Sequence, residues 1–228
     1  MRRLFKMLLR LALYGFAALC LFWLCGLLAY CWIDPPATPL MALRALDGES
    51  IRYRPVPLPR VERALQLAVV ASEDARFCLH SGIDLGAVRE AIEDYQESGR
   101  LRGASTITMQ VARNLFLWPG GGFIRKGLEL PLALAIDALW PKRRILELYL
   151  AIAEMGPGAF GAEAAARLHF ERAASDLSPA QAARLAAILP SPLRWSPSQP
   201  SAYIQRRAAI IQARIGQLSA EQTGCFSR

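Results

Sequence analysis

The sequence predicts a mainly α-helical protein: one helical domain preceded by a single transmembrane helix. Three observations predict it. Residues 11–33 form an apolar run without a charge. From Arg60 onward Ala, Leu, Ile and Arg recur at helical spacing. Strand signals are few and short, and no repeat or low-complexity tract interrupts the pattern.

The apolar run comes first in the chain. As a helix its 23 residues rise roughly 34 Å, enough to cross a hydrocarbon core of about 30 Å. Residues 1–10 form a basic tail with Arg2, Arg3, Lys6 and Arg10 and no acid. Such a cluster holds the N-terminus in the cytoplasm and sends the remainder across. Tyr30 and Trp32 fall near the far interface, where amphipathic aromatics are favoured. A cleaved signal is the competing reading. It fits less well, because the run exceeds a typical h-region and ends without a small-residue cleavage site.

Length and charge bound the rest. At 228 residues the chain holds one anchor and one domain, with no room for two sizeable catalytic domains. The formal net charge is +8. Beyond residue 33 there are 23 Lys and Arg against 19 Asp and Glu, a net of +4. That is mildly basic, which argues against a nucleic-acid partner and suits work beside anionic headgroups or on a phosphorylated substrate. Only Cys78 and Cys225 lie beyond the apolar run, so at most one bridge can form there. With His80 and His169 the only histidines, no metal site held by the protein is expected.

Residues 34–59 read as a membrane-proximal connector, because Pro35, Pro36, Pro39, Pro55, Pro57 and Pro59 exclude a continuous helix. A short strand is expected at 51–56. The domain then fills 60–228, with helices expected at 61–72, 85–97, 106–116, 123–139, 142–153, 161–168, 179–189 and 201–217. Ser178-Pro179 is a good helix start, and Leu189-Pro190-Ser191-Pro192 a good stop.

Three constellations could carry chemistry, each ambiguous alone. Glu73 follows the apolar stretch 65–71; a carboxylate there can be desolvated and its pKa raised toward the range useful for proton transfer. The plainer reading is a solvated helix end with Glu73 paired to Arg76. Gly103-Ala104-Ser105-Thr106 resembles a loop meeting a helix N-terminus, where N–H groups and hydroxyls accept anionic oxygens, or an ordinary cap. Arg113, Arg125, Lys126, Lys142, Arg143 and Arg144, with Glu129 and Glu147, could hold a diphosphate. Since Arg125–Glu129 and Arg143–Glu147 are spaced i to i+4, plain ion pairs also explain them.

Other chemistries are discounted. There is no Ser-x-x-Lys, Lys-Thr-Gly, Gly-x-Ser-x-Gly, Walker A loop or dinucleotide fingerprint. A Cys78 nucleophile would lack an orienting third group.

Taken in order, five segments resemble the motifs of the family 51 glycosyltransferases, the peptidoglycan transglycosylase domain. They are Glu73-Asp74-x-x-Phe77-x-x-His80-x-Gly82; Gly103-x-Ser105-Thr106-Ile107-Thr108-x-Gln110 continuing to Asn114-Leu115-Phe116; Arg125-Lys126-x-x-Glu129; Lys142-x-x-Ile145-Leu146-Glu147-x-Tyr149-Leu150; and Gly156-x-Gly158-x-x-Gly161-x-Glu163-Ala164-Ala165. The resemblance covers about residues 61–218. It implies a lysozyme-like helical lobe with a small membrane-proximal jaw lobe, and places jaw contact with lipid at 114–123, where core burial is the alternative for Phe116, Trp118 and Phe123.

The resemblance also implies the chemistry. Glu73 matches the general base that deprotonates the acceptor 4-hydroxyl of lipid II, which then attacks the growing undecaprenyl-diphosphate-linked glycan chain with inversion. Glu129 matches a second catalytic carboxylate, one that organises cations or a divalent ion. Ser105, Thr106, Gln110, Arg113, Arg125, Lys126 and Lys142 match substrate-binding positions, Arg125 and Lys126 at the diphosphate. No cofactor held by protein ligands is implied, while a divalent cation (Mg or Mn) is compatible. Expected partners are lipid II, the glycan chain and the cell inner membrane, with penicillin-binding and divisome proteins as candidates and no nucleic acid. Lacking a transpeptidase domain, the chain is similar to monofunctional members of the family. It departs from the pattern at Met109 (usually Gln), Arg113 (usually Lys) and Ala151 (usually Asn). Two rivals stand beside this reading: a lysozyme-like hydrolase or lytic transglycosylase, and a non-catalytic membrane scaffold for cell-wall synthases.

Overall fold

The computed structural model describes residues 2–99 and 103–227 and divides the chain into two units, residues 1–35 and 36–228. The first unit is the helix α1 (Arg2–Ala29). It is long and apolar enough to cross a membrane. It differs from the expected span at both ends. The helix begins inside the basic tail, since Arg and Lys are good helix formers. It stops at Ala29, where Tyr30 to Ile33 turn and Asp34-Pro35-Pro36 ends helical geometry.

The second unit is mainly helical, as expected. Its α-helices among the described residues are α2 (Pro39–Leu46), α3 (Arg63–Glu73), α4 (Leu85–Ser98), α5 (Ile107–Phe116), α6 (Gly122–Leu139), α7 (Lys142–Ile152), α8 (Ala162–Phe170), α9 (Pro179–Ile188), α10 (Ala202–Ile215) and the single turn α11 (Ala220–Thr223). Sequence chemistry sets many of the ends. Thr106, Asp84, Ser178 and Ser201 cap α5, α4, α9 and α10 through side-chain oxygens, and Ser178 with Gln181 forms a full capping box. Gly99 ends α4 in the left-handed region.

Two packing groups organise the unit. In one, α3 lies against α9 and α10; in the other, α5 lies against α6 and α7. Leu65, Ala68, Val69 and Val70 bury the apolar face of α3 completely. Opposite it α9 presents Ala182, Ala183, Ala186 and Ala187, also fully buried, whose small side chains let the helix axes approach closely. α3 therefore packs its apolar face into the core and ends at half-buried Glu73, where the loop to α4 begins.

Two features were not anticipated. Helix α2 forms inside the proline-rich connector, because Pro39 occupies its first turn and Thr38 accepts the Met41 N–H at 3.3 Å. The strand expected at 51–56 shrinks to β1 (Arg52–Tyr53), which pairs in parallel with β2 (Ala159–Phe160). Of the 114–123 aromatics, Phe116 is buried, whereas Trp118 is half exposed and Phe123 stands 97% exposed beside Ile124.

Candidate active site

Glu73 ends α3, and its half-buried carboxylate accepts a hydrogen bond from Gln110 Nε2 at 3.0 Å. Gln110 is itself oriented by Tyr149, whose hydroxyl donates to Gln110 Oε1 at 3.3 Å. Burial pushes the Glu73 carboxyl above the ordinary carboxylate range; the Gln110 bond and the charges of Arg207 and Arg113 pull it back only in part. The expected Glu73–Arg76 pair does not form. Arg76 instead meets Asp84 at 2.7 Å and Glu90 at 3.2 Å. Glu73 thus has no ion-pair partner among the described residues, which suits a group that must take up a proton. Buried Tyr149 is pushed well above its usual range by burial and then by Glu73, so its hydroxyl stays a donor.

The loop after Glu73 is fixed from several sides. Asp74 bonds His80 Nε2 through both oxygens, at 2.9 and 3.1 Å, and accepts the Ile107 N–H at 2.9 Å. That last bond ties the loop to the first residue of α5. Thr106 Oγ1 accepts from Met109 N at 3.1 Å and donates to the Gly82 carbonyl at 2.6 Å. At Gly82 φ is +80°, and a Cβ would lie 2.6 Å from the Ala133 carbonyl oxygen, so only glycine fits this approach.

One face of α5 links this carboxylate to a cationic cluster. Gln110 and Arg113 are one turn apart and share that face. Glu129, on α6 and 2% exposed, meets Arg125 and, at 2.8 Å, Lys126. Lys126 Nζ also donates to Ser105 Oγ at 2.8 Å. The cations crowd one another: Lys126 is pushed down by burial first, then by Arg113 and Arg125, despite its contact with Glu129. Arg125 is pushed down by burial and by Arg113. Arg113 and Arg125 line a small cleft of about 170 Å³ with Leu40, Asn114, Leu117, Pro119 and Gly120. Three cations balanced by one carboxylate make a ready anion site.

The structure therefore brings Glu73, Gln110 and Arg113 together, and Arg113, Arg125, Lys126, Ser105 and Glu129 together. Thr106 and Lys142 are placed differently. Thr106 is buried, with its hydroxyl engaged inside the fold. Lys142 Nζ reaches the His80 carbonyl at 2.7 Å and Asp137 at 2.6 Å, lies over the Phe77 ring, and stiffens the Glu73 loop. Cys78, disulfide-bonded to Cys225, cannot be a nucleophile. Sequence reasoning missed Asp74, Tyr149 and Arg207 as site residues. The motif spacing of Asp74 and His80 was a usable signal; Arg207, acting from α10 by charge alone, left none.

Comparison with known proteins shows the family. The family model described as Transglycosylase matches residues 41–215. The biosynthetic peptidoglycan transglycosylase of Rhodospirillum centenum is 56% identical over 188 residues, covering 82% of this chain and 81% of that protein. Those of Caulobacter vibrioides (44% over 191 residues, 84% and 83% covered) and Pseudomonas aeruginosa (46% over 197 residues, 83% and 84% covered) are similar too. A match that embraces both the carboxylate end of α3 and the cationic turn of α6 leaves one conclusion: this chain belongs to the transglycosylase family.

Proposed function

We propose that Glu73 is the general base with which this transglycosylase polymerises peptidoglycan glycan strands from lipid II. The observation that carries this reading is the half-buried Glu73 carboxyl, raised by burial and without an ion-pair partner, joined by one face of α5 to the Arg113–Arg125–Lys126 cluster. In the reaction, Glu73 takes the proton of the acceptor's sugar 4-hydroxyl. The oxygen forms a bond to the anomeric carbon of the growing chain as the bond from that carbon to the undecaprenyl diphosphate breaks. The diphosphate leaves with the bonding electron pair, and the cations stabilise its charge. One in-line displacement inverts the anomeric centre and needs no protein nucleophile.

Glu129 holds the Arg125 and Lys126 side chains toward the leaving group, and Ser105 positions Lys126. Both Glu129 oxygens already meet cations, so these residues do not supply a metal cage, and no step is routed through one. A divalent ion would enter only as counter-ion of the diphosphate.

The apolar α1 anchors the enzyme, with the basic tail in the cytoplasm and the catalytic unit outside the inner membrane. The Cys78–Cys225 bond supports that side, because disulfides persist in oxidising compartments. Exposed Trp118, Phe123 and Ile124 then suit contact with lipid. Penicillin-binding and divisome proteins are the partners this placement brings within reach.

The test is polymerisation of purified lipid II by the detergent-solubilised chain, with products separated by length. Wild type should give polymer, and Glu73→Gln should lose about 10²–10⁴-fold in rate. A lysozyme-like hydrolase would instead cleave finished glycan and keep its activity when Arg125 and Lys126 lose their charge. Polymer at undiminished rate from Glu73→Gln would sink the assignment of the base.

A further inference from the structure

The segment from Ser219 to Ser227 lies outside every motif, yet it grips the loop that follows Glu73. Cys225 is bonded to Cys78. Phe226, 2% exposed, sets its ring 6.3 Å from that of Phe77, which is fully buried. Gln222 does two things at once: its Oε1 accepts from Ser219 N at 2.8 Å, closing a capping box, and its Nε2 donates to the Ala75 carbonyl at 3.0 Å. The same segment also holds the other end of the base's helix. The Arg63 guanidinium lies 4.6 Å over the Phe226 ring and donates to Ser227 Oγ at 2.6 Å. Arg63 and Glu73 are the first and last residues of α3.

We propose that this C-terminal strap, closed by the Cys78–Cys225 disulfide, is a positioning element of the transferase site that makes polymerisation depend on the oxidation state of the pair. The proposal rests on the reading of Glu73 as base. Ala75, Phe77 and Cys78 lie two to five residues beyond Glu73, and each is held by the strap through a different kind of contact: a hydrogen bond, a ring contact and a covalent bond. The loop they fix also carries Asp74, which links α3 to α5 and hence to Gln110. Opening the disulfide removes the covalent contact and lets the loop relax into water. On reduction, a dithiol delivers two electrons and two protons to the two sulfurs and becomes a disulfide itself. Closure is the reverse, with a thiol–disulfide oxidant taking the electrons.

The experiment uses the full chain in detergent, oxidised or reduced with dithiothreitol, together with Cys225→Ser and with Phe226→Ala, which keeps the bond. Maleimide labelling after denaturation should count three free cysteines before reduction, namely Cys20, Cys25 and Cys31, and five after. Reduction, Cys225→Ser and Phe226→Ala should each lower kcat on lipid II, by on the order of ten-fold, with little change in KM. Each should also move the acid limb of the rate to lower pH as Glu73 hydrates. The groups facing Glu73, namely Gln110 and Arg113 of α5, Tyr149 of α7, Arg207 of α10 and Asp74, keep their identity in all these variants. Amide exchange at residues 75–80 should accelerate by about ten-fold or more. Five free cysteines before reduction overturn the proposal. So does a reduced protein whose kcat, acid limb and loop exchange match the oxidised one, even if it melts earlier. Should the oxidised wild type make no polymer, the polymerase reading falls alone; loop exchange then decides the strap, acceleration upholding it and no change overturning it.

Discussion

Glu129→Gln separates two roles for the buried carboxylate of the cationic cluster: organiser of Arg125 and Lys126, or bystander. The substitution keeps the shape and removes the charge. Removing one partner of a buried ion pair costs about 3–5 kcal/mol. Lys126 is 41% exposed at its side chain and can turn to water, while Arg125 is far more enclosed at 16%. The loss expected here is therefore lower, about 2–3 kcal/mol. For a unit of this size that lowers Tm by roughly 5–10 °C. The variant also deprives Arg125 and Lys126 of the carboxylate that balances them, so the anion site becomes more positive. Inorganic pyrophosphate should then stabilise the variant more than the wild type, restoring much of the lost Tm at low ionic strength and little at high salt. Thermal unfolding of the full chain in detergent, with and without pyrophosphate, measures both effects. A variant that melts within about 1 °C of the wild type and responds to pyrophosphate no more strongly would refute the organising role.

Two further outcomes follow from the same geometry. Glu73 is raised in the folded protein, so its ionisation costs stability; the cost is absent below the ordinary 4.5 and grows until pH passes the folded value. Glu73→Gln should therefore melt higher than the wild type at neutral pH, with the difference vanishing near pH 4 and activity lost throughout; a variant less stable at neutral pH contradicts the burial argument. Gly161 has φ +83°, and a Cβ there would lie 2.2 Å from the Ala151 carbonyl oxygen. Gly161→Ala should cost about 3 kcal/mol or more, read as a Tm drop near 10 °C or failure to fold.

How much of this was legible in the sequence depends on how local its cause is. The helices from α3 to α10 start and stop within two residues of where capping residues, glycines and prolines place them. Helix α2 was hidden because eight residues among prolines carry too little periodicity to register. The β1–β2 pair was hidden because its strands lie over a hundred residues apart and have two residues each. The site divides in the same way. Glu73 and the Arg125–Lys126–Glu129 turn could be named from motifs, since each lies within one local segment. Whether a given polar group faces a ligand or the fold is a tertiary fact. Thr106 and Lys142 turn inward, while Tyr149 and Arg207 reach the carboxylate from helices that the sequence alone does not bring near it.

On the reading of Glu73 as base, that tertiary placement ties the proton to the leaving group through one charge. Arg113 is the hub: its charge lowers Glu73 on one side and depresses Lys126 and Arg125 on the other. A diphosphate seated on the cluster supplies negative charge beside Arg113. It would offset the pull that Arg113 exerts on the Glu73 carboxyl, so the proposed base would strengthen when a donor with a leaving group is in place. The acid limb of kcat, which reports the loaded enzyme, should then lie at higher pH than that of kcat/KM, which reports the free enzyme. Arg113→Met should move the limb of kcat/KM to higher pH, because the positive charge that lowers Glu73 in the free enzyme is gone. Limbs that already coincide in the wild type would show that Glu73 does not sense the leaving group, and that the shared face of α5 joins the two halves of the site in space but not in charge.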